Sequence, residues 1–328
     1  MTGKDRVLAL LLEADGEAIS GQEMAEKLQI SRSAVWKSVK ALQKEGYRIQ
    51  GVTNKGYVLL SESEKLSEAA IRKYLGKKYE DCRLCIYGEV ASTNRTLREL
   101  ADEGAKEGTV VLAKCQTEGR GRRGREFYSP ADTGLYMSIL LRPQMEISDL
   151  MMVTAASAAA TAEAVEAITG TETAIKWVND VYAKGKKVSG ILTEASFSLE
   201  NGSIDFLIVG IGVNVLEPEG GFPESIQGKA GAVCQRDQCP EGIRNVLAAE
   251  IIKRVLSYYR TLPERTFYPS YKEKMLWMGE KIFVHTADKK KTATAVGIDD
   301  RCSLRVRYED GTEEILRTGE ISVSHPDR

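Results

Sequence analysis

The chain has 328 residues, 42% of them hydrophobic and 28% charged, which is length for two or three domains and an ordinary composition for folded cores. That excludes a disordered or fibrous chain, and 46 basic against 47 acidic residues leave a net charge of -1, so any polyanion must be met by a local patch. Six cysteines are too few for a disulfide scaffold, and the start runs into an amphipathic helix pattern instead of a signal peptide, so a cytoplasmic protein with reduced thiols is expected.

Val7, Leu8, Leu11 and Leu12 repeat at helical spacing behind Asp5, an N-cap candidate. Ser20 and Glu23 have capping-box spacing before a second helix whose inner face is Met24, Ala25 and Leu28. Ser31 caps a third, which buries Val35, Val39 and Leu42 and turns Arg32, Ser33, Trp36, Lys37, Lys40 and Lys44 outward. The spacing is that of a helix-turn-helix, and Tyr47–Val52 with Gly56–Leu60 alternate around a turn as its wing. Residues 1–60 hold nine Lys and Arg against seven Asp and Glu. The acids sit on the first two helices and the bases on the third helix and wing, a stripe suited to DNA phosphates, with Ser33, Trp36 and Lys37 placed for base edges. A solvated helix face is the plain alternative.

The polar run Ser61–Lys65 separates this unit, residues 1–63, from a middle unit, residues 66–275, and a break near Gly279 opens a last one, residues 279–328. The middle mixes strands at Leu84–Val90, Thr109–Lys114, Leu135–Leu141, Lys186–Glu194 and Ile204–Val215 with a helix at Leu150–Ile168 and another at Arg244–Arg260. Leu150–Ile168 imitates a membrane span, but Glu163, Glu166 and its alanines predict a packed helix and no membrane. Short strands at Lys281–Thr286, Thr292–Ile298, Leu304–Tyr308 and Glu313–Arg317 predict a small barrel-like β domain. The class is α+β.

Four segments of the middle unit carry chemistry. Gly119–Arg125 reads GRGRRGR, a loop whose glycines let backbone fold around a ligand and whose guanidinium forks suit carboxylate and phosphate. Lys176–Gly190, KWVNDVYAKGKKVSG, reads as a strand carrying Asn179 and Asp180, a turn at Lys184–Lys186, and Lys187 entering a second strand. Val209–Asn214, VGIGVN, has glycines where something approaches the strand closely, and no helix follows to make it a dinucleotide fingerprint. Ser92, Thr93 and Asn94 follow a strand and either cap a helix or bond a polar ligand. Cys82-x-x-Cys85 is half a zinc motif without its other half, so no protein-held metal is expected.

Together these residues resemble the bifunctional biotin–protein ligase and biotin operon repressor family along nearly the whole chain. The resemblance rests on the winged helix-turn-helix, Ser92–Asn94, QTEGRGRRGR at Gln116–Arg125, KWVND at Lys176–Asp180, Lys187 with SGIL, and GIGVN at Gly210–Asn214. One departure is Val178, where the family commonly has proline. The resemblance implies a multidomain α+β fold: an N-terminal winged helix-turn-helix, a central ligase domain with a mixed sheet, and a small SH3-like β-barrel.

It also implies a reaction in which biotin and ATP, with Mg²⁺, form biotinyl-5′-adenylate and pyrophosphate. The acyl group then passes to a lysine of a biotin carboxyl carrier protein. Ser92, Thr93, Asn94 and Gln116 are implied biotin contacts, Arg120, Gly121 and Arg122 close over the acyl phosphate, and Lys187 meets carboxylate and phosphate. Asn179, Asp180 and Asn214 are implied to orient nucleotide or metal. Operator DNA and a ligand-promoted homodimer are the implied partners. The only histidines, His285 and His325, are far from these motifs, so catalysis is expected from position and charge without a protein nucleophile. A lipoate-type ligase, or a biotin-sensing repressor without ligase activity, are the competing expectations.

Overall fold

The computed structural model describes residues 2–61, 63, 65–198, 202–285, 290–317 and 322–325; Glu62, Glu64 and Thr286, part of the expected boundary and strand, lie outside these. Three helices open the chain: α1 (Gly3–Glu13), α2 (Gly21–Leu28) and α3 (Arg32–Lys44). The first cap is Thr2, not Asp5. The Thr2 hydroxyl accepts the Asp5 amide and the Asp5 carboxylate accepts the Thr2 amide, a reciprocal box that puts Asp5 one turn inside. Ser20 and Ser31 cap α2 and α3 by accepting the amides of Glu23 and Ala34. The wing is the antiparallel hairpin of β1 (Arg48–Val52) and β2 (Gly56–Ser61). Gly56 has φ +114° and a Cβ there would lie 2.2 Å from the Ile19 carbonyl oxygen, so only glycine brings the wing against the turn before α2.

The joint to the middle unit is α4 (Glu68–Leu75), which belongs to two cores at once. Ala69 and Ala70 pack with Val7, Leu8, Val35 and Val39, while Ile71 and Leu75 pack into the large central cluster. One short helix therefore ties the N-terminal unit to the rest of the molecule.

The middle unit is built from β3 (Leu84–Val90), α5 (Thr93–Asp102), β4 (Val110–Gln116), β5 (Gly134–Leu141), α6 (Leu150–Thr169), β6 (Thr173–Lys176), β7 (Asp180–Ala183), β8 (Lys186–Phe197), β9 (Ile204–Asn214), α7 (Ile243–Arg260) and α8 (Tyr268–Glu273). Its strands form a mixed seven-stranded sheet, β3-β4-β5-β9-β8-β7-β6, in which only β3 and β4 are parallel. Strand alternation divides the sheet into two faces. On β9, Leu207, Val209, Ile211 and Val213 enter the large core with α6 and α7, whereas Phe206 and Ile208 pack with Leu97 and Ala101 of α5. Beyond Ile208 that second face carries Gly210 and Gly212, which lack side chains and let neighbouring groups approach the strand backbone. The window that makes α6 apolar enough to cross a membrane is 72% buried inside this core.

KWVND is not one strand. Lys176 ends β6, Asp180 begins β7, and the two residues pair across the turn Trp177–Asn179, whose Trp177–Val178 peptide is cis. This hairpin holds the C-terminal unit: β10 (Lys281–His285), β11 (Lys290–Ile298), β12 (Leu304–Tyr308), β13 (Glu313–Leu316) and β14 (Ser322–Ser324). They form a five-stranded sheet ordered β13-β12-β11-β10-β14 where the pattern predicts a small barrel. The buried Trp177 indole donates from Nε1 to the Cys302 carbonyl at 2.9 Å, and the Ile175 amide donates to the Lys274 carbonyl at 2.7 Å. Trp177→Phe keeps an aromatic ring, though a smaller one, and orphans a buried carbonyl; it is expected to lower the unfolding free energy by about 1–3 kcal/mol in chemical denaturation.

Candidate active site

The residues between β3 and α5 lie on the second face of the sheet, next to its glycine-bearing end. Ser92 occupies the N-cap position of α5, yet its side chain makes no cap hydrogen bond. Thr93 instead donates to the Gln116 side-chain oxygen from both its amide, at 2.8 Å, and its hydroxyl, at 3.1 Å. With its oxygen doubly held, the Gln116 amide must present its nitrogen outward, and that group donates to the Ser129 hydroxyl at 2.9 Å. Ser129 passes its own proton to the Phe127 carbonyl at 2.8 Å. Donor and acceptor alternate along this row, so each side chain has one allowed orientation.

Asn94 is the buried keystone beneath. Its nitrogen donates to Glu194 at 2.7 Å, and its oxygen lies 2.6 Å from the Ser138 hydroxyl, which also lies 2.7 Å from the Thr93 hydroxyl. The glycines of GIGVN make this approach possible. A Cβ on Gly210 would lie 2.2 Å from the Asn94 oxygen, and one on Gly212 would lie 2.5 Å from the Phe127 ring. Gly210 therefore admits Asn94, and Gly212 admits the aromatic anchor of the Arg/Gly loop. The loop has no apolar residue of its own, but it closes on itself: Gly121 donates to the Arg125 carbonyl at 2.7 Å and Phe127 to the Gly119 carbonyl at 2.8 Å. Arg120 is exposed beside Glu118, at 3.7 Å.

Arg122 alone of that loop reaches inward, where Nη1 donates to the Asn179 oxygen at 3.1 Å. Asn179 is buried and gives its nitrogen to the Ile191 carbonyl at 2.7 Å, so both its polar ends are occupied. The neighbouring Asp180 carboxylate meets Lys187 Nζ at 2.6 Å. Gly190 keeps this pair close, because a Cβ there would press on the Lys187 ammonium and its adjoining carbon at 3.2 Å. Burial draws the Arg122 guanidinium below its ordinary range, opposed by the Asp180 charge. Burial also draws Lys176 down; Asp180 opposes this, while Lys187 and Arg125 add to it. Cations thus crowd one carboxylate, an arrangement that favours an incoming anion.

Asn214, at the end of β9, donates to the Gly231 carbonyl at 3.0 Å, and the Gly231 amide donates in turn to the Lys187 carbonyl at 2.9 Å. In this structure Asn214 pins the segment that runs along Lys187. Lys176, Ser129, Ser138 and Glu194 were not among the residues singled out from the sequence. Ser138 had a signal, being the one hydroxyl among the apolar neighbours Met137, Ile139, Leu140 and Leu141, whereas Glu194 lies in a strand with several polar residues and had none. Among the described residues no group of three or more His, Cys, Asp or Glu gathers as a metal cage. The thiol of Cys115, next to Gln116, is pushed up by burial and by Glu89 and Asp132, which makes it a poor nucleophile. At the other end of the molecule Arg32, Ser33, Trp36, Lys37 and Lys40 all stand exposed on α3, Trp36 at 52%.

The Biotin/lipoate A/B protein ligase family matches residues 87–214, an HTH domain matches 4–58 and the Biotin protein ligase C terminal domain matches 279–324. The bifunctional ligase/repressor BirA of Bacillus spizizenii is 34% identical over 94% of this chain and 95% of that one. BirA of Escherichia coli K12 is 28% identical over 97% and 96%. The chain belongs to the bifunctional biotin ligase/repressor family. The biotin protein ligase of Aquifex aeolicus in complex with biotin and ATP superposes with a TM-score of 0.63 at 32% identity, over 74% of this chain and 99% of that one. Within this ligase fold, the glycine-bearing face makes a direct forecast. Gly210→Ala forces the Asn94 network apart and is expected to cost about 1–3 kcal/mol of stability. Gly88→Ala, whose Cβ meets nothing within 4 Å, is the neutral control in the same denaturation experiment.

Proposed function

We infer that the protein is an ATP-dependent biotin–protein ligase that also acts as a DNA-binding repressor of biotin synthesis genes. The observation that carries the chemistry is the cluster of Arg122, Lys176 and Lys187 around Asp180, on the sheet where Gly210 and Gly212 admit Asn94 and the Phe127 anchor of the Arg/Gly loop. The biotin carboxylate attacks the α-phosphorus of ATP, the bond to the β-phosphate oxygen breaks, and pyrophosphate leaves. A carrier lysine amine then attacks the acyl carbon, loses its proton, and AMP departs. Two anions must approach each other in the first step, and Lys187 with Arg122 offsets their repulsion.

Ser92, Thr93 and Gln116 are proposed to face the ureido head of biotin, with Asn94 holding Thr93 and Glu194 in place beneath. Arg120, Gly121 and Arg122 are proposed to cover the acyl phosphate. Asn179 serves by fixing Arg122, and Asn214 by fixing the segment over Lys187. Mg²⁺ fits as a companion of the nucleotide, held mainly by phosphate oxygens and water with Asp180 as the carboxylate at hand. The domains are proposed as 1–63, 66–275 and 279–328, in a cytoplasmic protein. The exposed α3 face is proposed to read operator DNA as a ligand-promoted homodimer, since paired half-sites require two copies of the motif.

Incubation with biotin, labelled ATP and a biotin carrier domain is expected to yield adenylate, pyrophosphate and a modified lysine. Activity with lipoate in place of biotin would assign the chain to lipoate ligases. Biotin binding with no pyrophosphate would leave a sensor without catalysis. Lys187→Ala is expected to slow adenylate formation about 10²–10³-fold, the loss seen when one donor to developing charge is removed. On the DNA side, Lys40→Ala is expected to lower the slope of log affinity against log salt by about 0.9 and weaken all DNA sequences alike.

A further inference from the structure

Arg122 is held by Asn179, so whatever fixes Asn179 also fixes the guanidinium. Two elements share that task. From β8, the Ile191 carbonyl accepts the Asn179 side-chain nitrogen at 2.7 Å, and the Ile191 amide donates to the Asn179 carbonyl at 3.0 Å. From α8, the Tyr271 hydroxyl donates to the Val178 carbonyl at 3.0 Å. That carbonyl and the Asn179 amide nitrogen belong to one planar peptide unit, so the hydroxyl sets the tilt of the plane from which Asn179 departs. Ile191 holds Asn179 on the far side of its Cα, and Tyr271 holds it on the near side.

Tyr271 is 0% exposed and Val178 1%, so neither half of their bond faces solvent. Burial raises the Tyr271 hydroxyl well above its ordinary range, with the Arg122 charge among the opposing influences, so it stays a proton donor close to the guanidinium. The ring packs edge-on against Phe267, with centroids 6.4 Å apart, and Phe267 packs in the same way against Tyr258 at 6.2 Å. The end of α8 is also tied down. Lys274, the next residue, pairs with Glu166 of α6 at 2.6 Å, and its carbonyl accepts the Ile175 amide at 2.7 Å. A buried phenol needs a partner wherever it sits. Within this aromatic row, however, the Tyr258 hydroxyl goes to Glu163 of α6 at 2.8 Å, whereas Tyr271 alone turns to the segment that carries Asn179.

We propose that Tyr271 is a positioning residue for the Arg122 clamp, acting through the Val178–Asn179 peptide to hold the guanidinium over the acyl phosphate. The proposal rests on the ligase reading for that ligand. Without the hydroxyl the peptide loses its bond from α8, Asn179 is left to tilt about its two bonds to Ile191, and Arg122 moves with it. The loss falls on the grip that Arg122 supplies, so the adenylate leaves sooner.

The test follows dissociation of labelled biotinyl-adenylate from the full chain without carrier domain. Tyr271→Phe is expected to speed release about fivefold, the equivalent of one hydrogen bond of ordinary net strength, and to add nothing in an Arg122→Ala background. Tyr258→Phe removes a hydroxyl from the same row but not from the turn, and is expected to release at the wild-type rate. A merely structural role would speed release equally with and without Arg122. Phe267→Leu, which loosens the Tyr271 ring and keeps its hydroxyl, serves should Tyr271→Phe not fold; its release is expected to exceed wild type only where Arg122 is present. A second readout needs no ligand. In protein carrying isotope-labelled arginine, the Arg122 Nε–H resonance, assigned by its loss in Arg122→Ala, is expected to move or broaden in Tyr271→Phe and to stay in place in Tyr258→Phe. Equal acceleration in both backgrounds, wild-type release by Tyr271→Phe, or an unmoved Arg122 resonance overturns the proposal. A wild type that forms no adenylate removes the ligase reading, and the Arg122 resonance then decides the positioning role by itself.

Discussion

An excess of positive charge around one carboxylate governs this molecule. Arg122, Lys176 and Lys187 all act on or near Asp180, and the ion pair to Lys187 at 2.6 Å uses that carboxylate on one partner. Like charges repel strongly at a protein-surface dielectric, about 4 kcal/mol for two unit charges 4 Å apart, so cations gathered around one carboxylate must be braced. The bracing is visible in Asn179 under Arg122, Asp180 against Lys187, the Trp277 ring 5.6 Å from Lys176, and the Asn214–Gly231 bond beside Lys187. A phosphate between them converts the repulsion into attraction. The net charge of -1 hides this, because the compensating acids lie elsewhere.

The second constraint is spatial. Side chains on both faces of a strand keep neighbouring groups off its backbone, and β9 avoids this by changing composition along its length. Its inner alternation stays apolar throughout, feeding the core with α6 and α7, so the strand is anchored on that side along its whole length. On the other side Phe206 and Ile208 support α5, and then Gly210 and Gly212 give way to Asn94 and Phe127. Strand parity thus lets Asn94 and Phe127 sit against the backbone on one face without weakening the core on the other.

Much of this was legible in the sequence because it is local. Caps at Ser20 and Ser31, the inward faces of the first three helices, the period of β9 and the alanine helix follow from residues within one or two turns of each other. The error at Asp5 came from a neighbouring residue, Thr2, that supplies the same cap chemistry. KWVND was misread as a strand because its apolar run does not show that the chain reverses at Trp177–Asn179; the pairing of Lys176 with Asp180 depends on the sheet. The partners of Gly210, Asn94 and Tyr271 lie far along the chain, and no periodicity announces them. Side chains chosen for one distant contact look like ordinary polar residues until the fold brings the contact about.

The chemistry of the proposed reaction has a consequence for the whole protein. The Cys115 thiol is raised by burial, which makes it a poor acceptor for the acyl group. In the proposed reaction the activated acyl group is a bound small molecule, shielded from water until an amine arrives. A bound intermediate differs from a covalent one in that its persistence depends on supply and demand: it accumulates when the acceptor is scarce. The same cationic grip that makes the first step possible thus fills the site for as long as acceptor is lacking. Ligase and repressor can share a chain because the chemistry leaves its intermediate in place long enough to be sensed.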